Sequence, residues 1–241
     1  VFELSMSLLE KSDGYFDPSV GPLVSAWGFG AQAADAESSP PTEMEVNSLL
    51  AGSQMRLVEM IPEARELRKV SKGFVDLSAI AKGFAVDEVH DYLRREGFID
   101  FMVEVGGEIS VSGLNAMRQK WRLGIERPDF SSRSAYTIAH ISDVAMATSG
   151  DYRNFIGGGE TRYSHTINPV TGYPAKTDLA SVSVISSSCA SADAWATGFM
   201  AMGYERASDI ADELGLAVYF IRRNDTGFVA SMSQSMKQYL D

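Results

Sequence analysis

Hydrophobic and polar positions repeat along this chain with two different periods, and the two fall in separate stretches. Apolar residues at helical spacing predict helices over about residues 2–10, 18–27, 78–95, 190–202 and 204–214. Period-two or continuous apolar runs predict strands at 54–60, 101–105, 121–126, 136–141, 180–186 and 216–222, several with the alternation of a sheet covered on one face. Strands that cluster in this way point to an α+β fold, with mixed, largely antiparallel sheets and packed helices. The stretch 31–42, AQAADAESSPPT, reads as a loop or insert, and Thr42 with Glu45 offers a capping box for a short helix after it. The chain shows no fixed-period internal repeat.

Three of these segments carry residue types that can do chemistry. In SCASADAWATGFMAMG, Asp193 and Thr197 stand four residues apart, so a carboxylate and a hydroxyl share one helix face. Both are hard oxygen ligands of the kind magnesium takes, although a polar helix start with a back-bonding Thr has the same pattern. In VDLSAIAKGFAVDEV, Ile80, Phe84, Val86 and Val89 set the apolar pattern, Ser78 is the expected N-cap and Gly97 the left-handed terminator. Lys82 then lies in the first turn, where the helix dipole disfavours a cation unless an anion such as a pyrophosphate binds nearby. A solvated surface lysine is the other reading. In YSHTINPVTGYP, the turn residues Asn168, Pro169, Gly172 and Pro174 follow His165, which makes it a candidate general base beside a stiff backbone. His90 and His140 have no such setting and read as structural.

Taken in order, GYFDPSVGPLVSAWGFG, VDLSAIAKGFAVD, VEVGGEISVSG, ATSGDYRNF, YSHTINPVTGYP and SADAWATGFMAMG resemble the FAD:protein FMN transferase (ApbE-like) family, from about Gly14 to Gly203. The resemblance implies magnesium-dependent cleavage of FAD and transfer of its FMN half to a Ser or Thr hydroxyl of a partner protein, with release of AMP. It also implies that Asp193, Thr197 and the backbone carbonyl of Ala79 hold magnesium. FAD would lie against Tyr15, Phe16 and Asp17, with Asp76, Lys82 and Ile167 in the same site, and His165 would activate the acceptor hydroxyl. Without the resemblance, Tyr15 and Phe16 read as core aromatics before a helix begun by Pro18. Gly106 and Gly107 either let the backbone approach the cofactor or form a bulge.

Composition narrows the field further. The chain has 241 residues, 45% hydrophobic and 22% charged, as in ordinary globular proteins. A formal charge of −11 argues against a nucleic-acid partner and against simple attraction of an anionic dinucleotide, so a bound cation is needed. The single cysteine, Cys189, excludes an internal disulfide and sits among small residues that favour burial. Val1 falls in what resembles the helix before GYFDP, so the sequence is expected to be a fragment of a single domain that lacks the family's N-terminal segment. By the same resemblance, the expected location is periplasmic, lipid-anchored to the inner membrane, with a membrane redox-complex subunit as acceptor. A FAD pyrophosphatase giving FMN and AMP differs only in its acceptor, water. A flavin-binding protein without activity would need no metal at the phosphates.

Overall fold

A computed structural model describes residues 1–29, 40–53, 58–64, 66–69, 74–129, 134–151, 155–156 and 163–240, with the backbone alone at 155–156 and 163. Most of the 31–42 loop and the first part of the 54–60 strand lie outside the described residues.

The order of elements is α1 (Phe2–Lys11), α2 (Gly21–Ala26), α3 (Glu43–Gly52), β1 (Val58–Ile61), β2 (Glu66–Lys69), α4 (Ala81–Arg95), β3 (Phe101–Val105), β4 (Glu108–Ser112), β5 (Trp121–Glu126), β6 (Ala135–Ile141), β7 (Ala145–Gly150), β8 (Phe155–Ile156), β9 (Tyr163–Ser164), β10 (Leu179–Ser186), α5 (Cys189–Met202), α6 (Tyr204–Glu213), β11 (Ala217–Asn224) and β12 (Gly227–Met232), closed by a 3₁₀ helix at Gln234–Tyr239. Six strands form one sheet in the order β12-β11-β10-β7-β4-β3. Every strand pairing among the described residues is antiparallel, within the α+β class expected.

The sheet is covered on both faces at its centre, not on one as the alternation suggested. Along β11, Val218 and Phe220 point into a core built with Trp195, Phe199 and Met200 of α5. Tyr219 and Ile221 point into a second core with Leu123 and Ile125 of β5 and Met236 of the 3₁₀ helix. Alternation within a strand marks two faces, and which of them is covered depends on remote elements.

Two helix starts fall later than expected, for one shared reason. The Asp17 carboxylate accepts hydrogen bonds from both the backbone N–H and the hydroxyl of Ser19, each at 2.7 Å, so 17–19 forms a turn and α2 begins at Gly21 rather than Pro18. Likewise Asp76 accepts from Ser78 N–H at 2.8 Å, Ser78 sits in a turn, and α4 starts at Ala81 behind Ile80. Gly97 follows α4 with φ +88°, as anticipated. The Thr42–Glu45 capping box forms at α3.

The buried face of α4 also differs from the apolar reading. Gly83 and Val86 are buried, whereas Phe84 and Val89 are exposed. Helix α4 crosses α5 at Gly83, where a Cβ would come within 2.7 Å of the Ala190 Cα and clash with the Cys189 carbonyl. A close backbone crossing has no room for large side chains, so its face carries little hydrophobic signal.

Candidate active site

Three chain segments that sequence analysis singled out meet in one cleft of about 770 Å³. It is lined by α4 and α5, by 15–29 and 76–79, and by β7 and the 165–169 turn, which packs on 15–29 through Ile167 and Phe29.

Helix α5 supplies Asp193 and Thr197, and both line the cleft. Its start is fixed by Ser188, whose hydroxyl accepts from Ser191 N–H at 3.2 Å, and by Asp87 of α4. The Asp87 carboxylate accepts from the Ser188 hydroxyl at 2.8 Å, Cys189 N–H at 2.7 Å and Ala190 N–H at 3.0 Å. This capping by a neighbouring helix fixes the position of α5, and sequence analysis did not assign it. Cys189 is buried as anticipated, and burial pushes its thiol well above the usual range.

Asp193 is 5% exposed. Its carboxylate accepts from Gly83 N–H at 3.0 Å and stands 3.5 Å from the Lys82 ammonium. Burial raises its pKa, and Lys82 and the Gly83 hydrogen bond oppose that shift. Lys82 is therefore not an unrewarded cation. It is paired at 2.5 Å with Glu108, a second carboxylate that is 2% exposed and that sequence analysis left without a role. Burial also raises the Glu108 pKa. The signal was available: along β4, Ile109 and Val111 alternate with Glu108, Ser110 and Ser112, which puts a carboxylate on a polar strand face directly after two glycines.

Those glycines form a hairpin turn and not a bulge. Gly106 and Gly107, at φ +63° and +102°, are the two-residue turn of the β3–β4 hairpin, in which Val105 pairs with Glu108. Such a turn needs positive φ at both positions. Gly106 lines the cleft, and a Cβ there would lie 3.3 Å from Lys82 Cδ; Gly107 faces open space.

On the other wall, Tyr15, Phe16, Asp17, Asp76 and Ala79 all border the cleft. Phe16 belongs to the core as well, 4% exposed and packed against α5 at Gly198. Tyr15 is half-buried under the Arg206 guanidinium, 5.6 Å from its ring. Burial raises the Asp17 pKa against the two hydrogen bonds from Ser19. Next to this wall, His165 borders the cleft with its ring edge-on to Phe29, 6.4 Å between centroids, and Ile167 is buried against Leu23 and Trp27. The Asn168 side chain holds the turn by accepting from Val170 N–H at 2.9 Å and Thr171 N–H at 3.2 Å, and it donates to the Ala201 carbonyl of α5 at 3.3 Å. His165 thus sits on a turn tied to the helix that carries Asp193. Thr148, Ser149 and Gly150 of β7 complete the rim; they lie in a quoted motif but were not assigned, and Tyr152–Asn154 of that motif lie outside the described residues. His90 keeps its structural reading, with Nδ1 2.9 Å from the Ser110 hydroxyl and its ring 4.9 Å from that of Phe101.

No group of three or more His, Cys, Asp or Glu side chains arranged to hold a metal occurs among the described residues. Magnesium does not require one, because it is commonly held by one or two carboxylates plus water and substrate phosphates. Two buried carboxylates share one ammonium here, a formal surplus of one negative charge when both are ionised, and Glu108 Oε2 is buried without a hydrogen-bond partner. A hard cation beside Asp193 and the Thr197 hydroxyl fits that imbalance.

Comparison with known proteins gives a consistent result. The ApbE family matches residues 1–220. A FAD:protein FMN transferase of Vibrio cholerae serotype O1 is 40% identical over 229 residues, 95% of this chain and 68% of that protein. One of Haemophilus influenzae is 34% identical over 236 residues, 97% of this chain and 68% of that protein. Among solved structures, the flavin transferase ApbE from V. cholerae superposes with a TM-score of 0.88 at 39% identity, covering 99% of this chain and 75% of that one. The apo flavinyl transferase ApbE of Pseudomonas stutzeri gives 0.87 at 31% identity, covering 98% and 72%.

Proposed function

Because the chain belongs to the ApbE family, we propose that it is a FAD:protein FMN transferase, which binds FAD in this cleft and passes the FMN half to another protein. The observation that carries the reading is the convergence of Lys82, Asp193, Thr197 and His165, from three distant stretches of sequence, on one cleft. Pyrophosphate cleavage needs charge neutralisation at the phosphates, a positioned hydroxyl and a place for its proton.

Each need has a residue. Asp193, Thr197 and the Ala79 carbonyl would hold magnesium, which when bound neutralises phosphate charge. Lys82, whose side chain is 46% exposed, would meet a phosphate oxygen. The flavin lies along Tyr15, Phe16, Asp17, Asp76 and Ile167, with backbone close approach at Gly106. In the transfer, the acceptor Ser or Thr oxygen bonds to the FMN phosphorus, the bond from that phosphorus to the bridging oxygen breaks, and AMP leaves with that oxygen. The hydroxyl proton passes to His165. The acceptor we favour is a membrane redox-complex subunit on the periplasmic side, with this protein lipid-anchored nearby. That placement follows the resemblance, and fractionation of cells that express the protein tests it.

Incubation with FAD, magnesium and an acceptor domain, followed by intact mass, tests the reaction. An acceptor heavier by one FMN unit, with AMP released, is the expected result; free FMN and AMP with an unmodified acceptor would make the protein a pyrophosphatase instead. His165→Gln should lose transfer by roughly 10²- to 10⁴-fold while still binding FAD. Full activity with an unchanged pH profile would remove His165 from the mechanism.

A further inference from the structure

Glu108 is a poor choice for stability. Its carboxylate is 2% exposed, Lys82 holds one oxygen at 2.5 Å, and Oε2 is buried with no hydrogen-bond partner. A buried charge with half its acceptor capacity unused costs free energy that an apolar residue would avoid. The rest of the site shows what it does. The Lys82 ammonium lies between two carboxylates and is unequally shared, 2.5 Å from Glu108 and 3.5 Å from Asp193. The partners come from separate elements: Lys82 from α4, Asp193 from α5, and Glu108 from β4 directly after the tight Gly106-Gly107 turn. Lys82 is the mobile member, with a flexible stem and a side chain 46% exposed. The two carboxylates are the fixed ones.

We infer that Glu108 is a positioning residue that draws the Lys82 ammonium away from Asp193 and so keeps Asp193 open to a divalent cation. Without Glu108 the ammonium has one buried carboxylate left to pair with, Asp193, and an incoming cation must displace it. The trio would also become neutral instead of carrying one negative charge. The inference rests on Asp193 being the cation ligand, and the test separates the two claims.

The test is Mn²⁺ binding to the FAD-free protein, followed by electron paramagnetic resonance, for the parent and for Asp193→Ala, Glu108→Ala, Lys82→Ala and the Lys82→Ala/Glu108→Ala double variant. Glu108→Ala should weaken Mn²⁺ binding about tenfold or more, corresponding to about 1.4 kcal/mol. In the Lys82→Ala background the same substitution should cost no more than about threefold, since only a neighbouring charge is then lost. Lys82→Ala alone should tighten binding. Equal losses in both backgrounds would show that Glu108 acts only as a charge and would overturn the inference. Glu108→Gln, close in shape, replaces Glu108→Ala in the cycle if thermal melts show that the alanine variant does not fold. Asp193→Ala binding Mn²⁺ as tightly as the parent would instead overturn the reading of the site itself.

Discussion

Helix α4 contributes to two charged clusters five residues apart, at Lys82 and at Asp87, and their carboxylates are satisfied in opposite ways. At Asp87, both carboxylate oxygens accept short hydrogen bonds, three in all, from the N-cap and first two residues of α5. At Lys82, two carboxylates from other elements share one ammonium, one oxygen has no partner, and burial raises the pKa of both. Both clusters adjoin a cavity, of about 330 Å³ at Asp87 and about 770 Å³ at Lys82. An adjacent space therefore does not separate them. A carboxylate whose donors are supplied by the fold holds the fold together, whereas one whose donors fall short is available for a ligand.

The strongest way to break this contrast is to remove Asp193. Asp193→Ala should lower FAD turnover by at least about 10²-fold, or roughly 2.7 kcal/mol of transition-state stabilisation, with unfolding little changed. Asp193→Ala turning over FAD at the parent rate with magnesium present would place the cation elsewhere, and parent-rate turnover with the metal chelated would remove the cation from the reaction. Asp87→Ala should do the reverse. Loss of the charged cap on α5 should cost about 2–3 kcal/mol in denaturant unfolding, and any loss of turnover should follow from the displaced helix. A stable Asp87→Ala protein without turnover would erase the distinction between the two clusters.

A smaller effect sharpens the comparison at the crossing between them. Gly83→Ala forces a Cβ against the Cys189 carbonyl and Ala190 Cα, so α4 and α5 must separate, at about 1–3 kcal/mol. The same shift pulls Gly83 N–H from Asp193, so stability and metal affinity should fall together. Loss of one without the other would show that the crossing does not set the site.

The smallest effect is a pH dependence at Glu108. Burial raises its folded-state pKa above the unfolded value. The folded state thus retains the proton more strongly, and the stability this contributes is full below the unfolded pKa and lost as pH rises through the folded one. Glu108→Gln, which mimics the protonated acid, should melt above the parent near neutral pH, with the gap closing as pH falls into the carboxylate range. A gap independent of pH would mean that ionisation of Glu108 costs nothing.

Much of the site was legible because its signals are local. One-turn spacing put Asp193 and Thr197 on one face of α5, and both border the cleft; the dense turn chemistry of 168–174 fixed the backbone after His165. The helix starts were misread where an Asp side chain bonded two residues ahead and formed a turn in place of the first helical residues. The buried face of α4 was misread because a glycine crossing leaves no hydrophobic mark.

By itself the sequence determined the alternation of helices and strands, the α+β class, the family by its ordered motifs, and which side chains can ligate a cation or move a proton. Those follow from near-neighbour sterics and residue chemistry, which reach only a few positions along the chain. Only the tertiary structure decided that Lys82 pairs with Glu108 as well as Asp193, that Asp87 caps a helix a hundred residues away, and that the central strands are covered on both faces. The reason is physical: a buried charge is judged by how many donors surround it, and those donors come from whichever elements packing brings alongside.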